Sequence, residues 1–257
     1  MTCSDTQVYS TLFTCFCDQE NVDLLWNPAS LDIPQEMSKD VRRHWDALPK
    51  DHIFNGKLAR LDQWAFTPDG CQLELRPTNY RTLLYSNQHV RHICDTWGKR
   101  YLSRALGISA VVVSSDDYLV FMQRSNNVGE FPGCYDVFGG HIDIPKNDGS
   151  PNIFTAMAQE LQEEVAIQQS EYDLKLIGLI NSIPNQKPEL VFRAQVELPA
   201  KEILARTREA KDHIEFSRVH TLDNKTEHIE QLLMAHKNEF SPSAFGSFCV
   251  YSRTCLI

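Results

Sequence analysis

Apolar and polar positions alternate along the chain in two distinguishable ways. "ISAVVVS" and "YLVFMQR" are nearly continuous apolar runs joined at Ser115, Asp116 and Asp117, the signature of two buried strands and a turn. "KLIGLINSI" and "ELVFRAQVEL" repeat that signature further on. Between the two pairs, Phe154, Met157, Leu161 and Val165 recur at steps of three and four, which predicts one buried helical stripe within a helix over 153–169. Further helices are expected near 201–210, 226–236 and 242–250. Upstream, the pattern predicts an amphipathic helix over 34–48 and strands over 58–66 and 71–76, with "TPDGC" as their hairpin turn. Two turn-rich stretches, "GEFPGCYDVFGG" and "PKNDGSP", read as loops. Strands on both sides of a helix, with helices following, predict an α/β fold in which helices sandwich a mixed sheet. Residues 1–102 would form an N-terminal α+β extension, and 103–257 the main domain.

Composition narrows the partners. The 257-residue chain carries 25 Lys and Arg against 34 Asp and Glu, a formal charge of −9, which argues against a nucleic-acid backbone as ligand. An anionic ligand would therefore need a cation to bridge it. No run of about 18 apolar residues suggests a membrane span, so no membrane partner is expected. "MTCSDTQVYSTLFTCFC" lacks the basic start and cleavage pattern of a signal peptide, and a cytoplasmic or nuclear location is expected. Eight scattered cysteines without a C-x-x-C pair read as free thiols. Oligomeric state is not encoded in any of these patterns.

"FTAMAQELQEEVAI" concentrates chemistry. Glu160 and Glu164 stand four apart with Glu163 beside them, and no Lys or Arg occurs between Ile153 and Gln169. Like charges at this spacing cost a helix a few tenths of a kcal/mol per pair. A solvated acidic face is one reading. A divalent cation is the other: Mg²⁺ takes one or two protein carboxylates and completes its octahedron with water and substrate phosphates.

"DVFGGHID", a loop, then "QELQEEVAI" resembles the Nudix hydrolases, whose motif pairs a glycine and a loop glutamate with an arginine–glutamate helix. Glu160, Leu161, Glu163, Glu164 and Ile167 match its second half. Gln159 replaces the motif's arginine and Ala166 its glycine, and five extra residues separate Gly140 from Glu160. Either Pro151 or Lys146 falls where the loop glutamate belongs, according to the end from which one counts. The order of "TNYR", "LGISAVVVSSDDYLVFMQRS", "PGCYDVFGGH", "QELQEEV" and "SPSAFG" is similar to a narrower branch, the animal UDP-glucose (UDP-galactose) pyrophosphatases, over most of the chain from about residue 52 to 251.

The resemblance implies Mg²⁺-dependent hydrolysis of UDP-sugars to UMP and sugar 1-phosphate, with Mn²⁺ as a substitute metal. It implies Glu160 and Glu164 as metal ligands, and Glu160, Glu163 and Glu164 as catalytic, Glu163 as metal support or general base. Substrate contacts carry over to Phe54, Tyr80, Arg124, Gly129, Asp136, His141, Asp143 and Ser243. A flat ring at Phe54 or Tyr80 could stack on uracil, and core packing is the ordinary alternative for each. Arg124 suits a phosphate as a bidentate guanidinium, or is a plain strand-end arginine; Arg81 is a weaker phosphate candidate. Asp143 stands where the branch has glutamate. Ser243 lies at an expected helix start, where hydroxyl and N–H groups suit an anion. Two other functions stay open: a Nudix hydrolase of another nucleoside diphosphate derivative, and a UDP-sugar-binding protein of the same fold without catalysis.

Overall fold

A computed structural model describes residues 8–49, 53–67 and 70–256. In chain order it contains β1 (Tyr9–Cys17), β2 (Val22–Trp26), α1 (Gln35–Ala47), β3 (Lys57–Thr67), β4 (Gly70–Asn79), α2 (Tyr80–Gln88), α3 (Val90–Thr96), β5 (Gly107–Val113) and β6 (Tyr118–Arg124). There follow β7 (Tyr135–Asp136), β8 (Phe138–His141), α4 (Ile153–Glu160), β9 (Tyr172–Ser182), β10 (Pro188–Val196), α5 (Ala200–Thr207), β11 (Phe216–Asp223), α6 (Thr226–Ala235) and α7 (Pro242–Cys255).

The main sheet runs β1-β9-β10-β5-β6-β11, with β7 added beside β6 and β8 beside β5. Only β5 and β10 pair in parallel; the other pairs in this sheet are antiparallel. Because side chains alternate across a strand, β5 feeds two cores. Ile108, Ala110 and Val112 pack with Phe154, Met157, Leu161 and Val165 on one face. Val111 and Val113 pack with Ala244, Phe248 and Tyr251 of α7 on the other. This is the α/β sandwich that the sequence predicts.

A second sheet, β2-β4-β3, stands against the first. The β3–β4 hairpin is present as expected; its turn residues Pro68 and Asp69 lie outside the described residues, as does Cys3. Backbone bonds join the two sheets: Ala59 N–H donates to Ile142, and Leu106 N–H to Ala59. The N-terminal region also lends β1 to the main sheet, paired with β9. Every described cysteine for which a state is assigned is a free thiol. Among the described residues no helix is long and apolar enough to cross a membrane.

The glutamate helix differs from its sequence expectation. Rather than continuing to Gln169, α4 ends at Glu160 and opens into one wide π turn over Leu161–Val165, which Ala166 closes in the left-handed region (φ 57°, ψ 37°). Helical periodicity alone does not register such a stop, because Gln159 to Glu164 contains only good helix formers. Tertiary packing imposes it: Leu161, Val165 and Ile167 are all fully buried.

Candidate active site

The wide turn aims its carboxylates in different directions. Glu164 is 2% exposed, and its Oε2 accepts a hydrogen bond from the Gly139 N–H at 2.8 Å. Glu160 lies against the next residue: a Cβ on Gly140 would come within 2.4 Å of Glu160 Oε1. Gly139 sits at φ 155°, and a Cβ there would meet the Ile108 carbonyl oxygen at 2.0 Å. The two glycines of "VFGGH" therefore form a bare backbone cradle for Glu160 and Glu164. Glu163 faces elsewhere, with its Oε1 2.8 Å from Lys211 Nζ and 3.2 Å from Gln159 Nε2. The sequence offered no cation for this turn; the fold supplies Lys211 from 48 residues downstream.

Electrostatics separate the three. Burial, then the charge of Glu163 and of Glu215, Asp143 and Asp212, pushes the Glu160 carboxyl up to about 8. Burial, then Glu160, holds Glu164 well above the carboxylate range against the Gly139 N–H. Burial would also raise Glu163, but hydrogen bonds from Lys211 and Gln159 outweigh it and leave the group below its ordinary value. Glu215 is raised by partial burial despite Arg124.

A buried carboxyl and a half-buried one, mutually repelling on a side-chain-free cradle, are a hard-oxygen donor pair. Among the described residues no group of three or more His, Cys, Asp or Glu could hold a metal by itself. The pair fits Mg²⁺, which needs only one or two protein oxygens, and does not fit a structural zinc site with four protein ligands.

A second group of side chains adjoins it. Arg124, at the end of β6, donates from Nε to the Glu130 carbonyl at 3.0 Å and from Nη1 to Asp136 Oδ2 at 3.1 Å. Asp136 Oδ1 accepts from the Val137 N–H and from Ser241 Oγ, so both its oxygens are engaged within the protein. Burial works against the Arg124 charge, and the carboxylates of Asp136, Glu164 and Glu130 hold it protonated. That coupling puts the guanidinium within electrostatic range of Glu164. His141 Nε2 lies 3.4 Å from Lys187 Nζ and 3.6 Å from Glu130 Oε2.

Tyr80 opens α2, half-buried, and its hydroxyl lies 3.2 Å from where a Cβ on Gly129 would stand. After burial, Glu130, Lys187, Glu215 and Arg124 are the charges it feels. Tyr80 N–H donates to the Gly56 carbonyl, which ties the 54–56 segment to α2. Phe54, on that segment, is 77% exposed. Asp143 is exposed beyond β8, bridged to Leu58 and raised by partial burial and Glu163. Ser243 is 9% exposed inside the first turn of α7, but the cap is Ser241, whose Oγ accepts from the Ala244 N–H. Arg81 keeps its N–H on the Asn55 side chain, and its Nε is buried without a hydrogen-bond partner.

Glu130, Lys187, Glu189, Lys211 and Glu215 were not singled out from sequence. Glu130 and Lys187 do stand in the turn-forming strings "GEFPG" and "NQKPEL", but nothing in their spacing connects them.

Comparison with family models gives no match. The uridine diphosphate glucose pyrophosphatase NUDT22 of Mus musculus is 30% identical over 214 residues, covering 70% of this chain and 67% of that protein. Nudix hydrolase 9 of Arabidopsis thaliana is 25% identical over 259 residues, covering 77% and 81%. Among solved structures, a MutT protein from Methanosarcina mazei Go1 overlays 58% of this chain and 93% of its own at 16% identity, with a TM-score of 0.39. A relative matched at 30% identity over two thirds of its length shows the family, and the chain belongs to the Nudix hydrolases, enzymes that cleave phosphorus anhydrides.

Proposed function

We propose that this enzyme hydrolyses the diphosphate bond of UDP-sugars, UDP-glucose and UDP-galactose among them, to UMP and sugar 1-phosphate. The observation that carries the reading is the Glu160–Glu164 pair on its glycine cradle, with the buried Glu164 within electrostatic range of Arg124. Relatives named as uridine diphosphate glucose pyrophosphatases supply the substrate class.

Glu160 and Glu164 would hold Mg²⁺, or Mn²⁺ in its place, which would supply the positive charge that offsets the diphosphate. Arg124 is pre-aimed: Glu130 and Asp136 fix its Nε and Nη1, and the remaining guanidinium edge serves a phosphoryl oxygen without reorganisation. Asp136 acts here through Arg124, and Ser241 steadies Asp136 in turn. His141, Asp143 and Ser243 line the path of sugar and phosphate oxygens. Residues 1–102 serve as an extension that contributes Phe54 and Tyr80 to the uridine end. Glu163, ionised by Lys211, is a weak base and steadies the turn.

Phosphorus NMR of the protein with UDP-glucose, with and without Mg²⁺, tests this reading. UMP and glucose 1-phosphate are expected only with metal. Hydrolysis of ADP-ribose or a dinucleoside polyphosphate in preference to UDP-sugars would move the substrate elsewhere in the family. An unchanged but broadened UDP-glucose spectrum would replace the reading with a binding protein.

A further inference from the structure

Lys187 is a charged side chain, 7% exposed, in the turn between β9 and β10. Three acceptors from three separate parts of the fold surround its Nζ: His141 Nε2 of β8 at 3.4 Å, Glu130 Oε2 of the β6–β7 loop at 3.5 Å, and Glu189 Oε2 of β10 at 3.6 Å. An ammonium has three N–H bonds and no acceptor. His141 Nε2 and Glu130 Oε2 are its nearest partners, Glu189 Oε2 faces it as an ion-pair partner without a hydrogen bond of its own, and two carboxyl groups thus meet the single buried charge. Lys187 is thus not built as a phosphate ligand.

Its neighbours are anchored from behind. Glu130 Oε1 accepts from Asn87 Nδ2 of α2 at 2.8 Å, and Glu189 Oε1 from Ser109 Oγ of β5 at 2.5 Å. The imidazole is the one member with two neutral forms. An ammonium can only donate, so the His141 nitrogen that faces it must accept, and the ring proton then resides on Nδ1.

We propose that Lys187 is a positioning residue that locks His141 as the neutral Nδ1–H tautomer and pins Glu130 beside it, so that His141 meets the substrate as a hydrogen-bond donor and takes no part in proton transfer. The tautomer stands on the 3.4 Å contact between Lys187 Nζ and His141 Nε2, which is shorter than the opposing 3.6 Å from Nε2 to Glu130 Oε2. Its consequence for substrate rests on the UDP-sugar hydrolase reading above, in which His141 touches a substrate oxygen. Removing Lys187 leaves Nε2 facing Glu130 Oε2 at 3.6 Å, an arrangement that favours a proton on Nε2.

The test is nitrogen-15 NMR of the full-length protein labelled in histidine, at pH 7.5 without substrate, with the His141 signals assigned by loss in His141→Gln. The wild type is expected to show a single Nδ1–H tautomer. Lys187→Met is expected to move the proton to Nε2 or to give imidazolium, whereas Glu189→Gln, which keeps the ammonium, is expected to leave the wild-type pattern. An Nε2–H tautomer in the wild type overturns the proposal even if Lys187→Met fails to fold. So does an unchanged tautomer in a folded Lys187→Met. With UDP-glucose, Lys187→Met should raise KM at least tenfold with a smaller loss in kcat. The expected tautomers without UDP-glucose turnover would sink the substrate reading and leave the lock intact.

Discussion

Glu164 Oε2 accepts the Gly139 N–H at 2.8 Å, and this bond fastens the wide turn of the glutamate helix to strand β8. The bond also orients a carboxylate that is costly to ionise, since burial and Glu160 both favour its neutral form. Glu164→Gln keeps an oxygen for Gly139 and removes the charge. In metal-free protein at pH 8 the variant is expected to melt higher than the wild type, because the unfolded chain ionises Glu164 freely while burial, then Glu160, opposes its charge in the fold, and glutamine has no charge to lose. Its kcat for UDP-glucose is expected to fall by roughly 10²–10³, the usual loss for one preorganised charge-stabilising group. Scanning calorimetry with EDTA and with Mg²⁺, beside steady-state kinetics, checks both halves; wild-type turnover in the variant would remove Glu164 from the metal site.

Ala166 closes the same turn at φ 57°. An L-residue with a Cβ pays about 1–2 kcal/mol in this region, and glycine does not. Ala166→Gly is therefore expected to stabilise the protein by about 1 kcal/mol, less the added entropy of an unfolded glycine, a rise in Tm of roughly 2–4 °C for a chain of this size. Urea unfolding measures the difference. A less stable glycine variant would show that packing of the Ala166 methyl outweighs its backbone strain.

The same turn marks the boundary of what the sequence discloses. Phe154, Met157, Leu161 and Val165 reveal their buried face because helical periodicity is local, and "ISAVVVS" reveals a strand because every position of β5 is covered. Strands β1, β2 and β11 escaped, as did β7 and β8, which cross the stretch "GEFPGCYDVFGG" that reads as a loop. β11, "FSRVHTLD", mixes exposed and half-buried positions at a sheet edge, and β1 finds its partner β9 more than 150 residues away. Site residues divide in the same way. Glu160 and Glu164 are near neighbours in sequence, whereas Lys187 stands 46 residues from His141 and 57 from Glu130 and meets them only through the fold.

Phe54 separates binding from stability. At 77% exposure it has almost no core to support, and its segment is tied to Tyr80 through the Gly56 carbonyl. If the ring stacks on uracil, Phe54→Ala loses roughly 1–3 kcal/mol, the range for one aromatic–base stack. KM for UDP-glucose is then expected to rise by about 5- to 150-fold, with kcat and Tm little changed. Equal KM values for the two proteins would place the uridine elsewhere.

His141 gives the fold an acid limit. Burial, then the Lys187 charge, lowers its pKa from 6.5 to about 4, with Glu130 opposing. Above pH 6.5 the imidazole is neutral in folded and unfolded chains alike, and it adds no slope. As pH falls below 6.5 the unfolded chain takes up the proton first, so stability declines until the folded pKa is passed near 4. The full difference, at about 1.4 kcal/mol per pH unit, is on the order of 3 kcal/mol. Other groups titrate in this window, so the measurement is a comparison. Urea unfolding of wild type and His141→Gln at pH 7.5 and 4.5 should show the wild type losing about 2–3 kcal/mol more than the variant. Equal losses would mean that His141 is protonated in the folded protein at pH 4.5, with the Glu130 carboxylate rather than the Lys187 ammonium governing its charge.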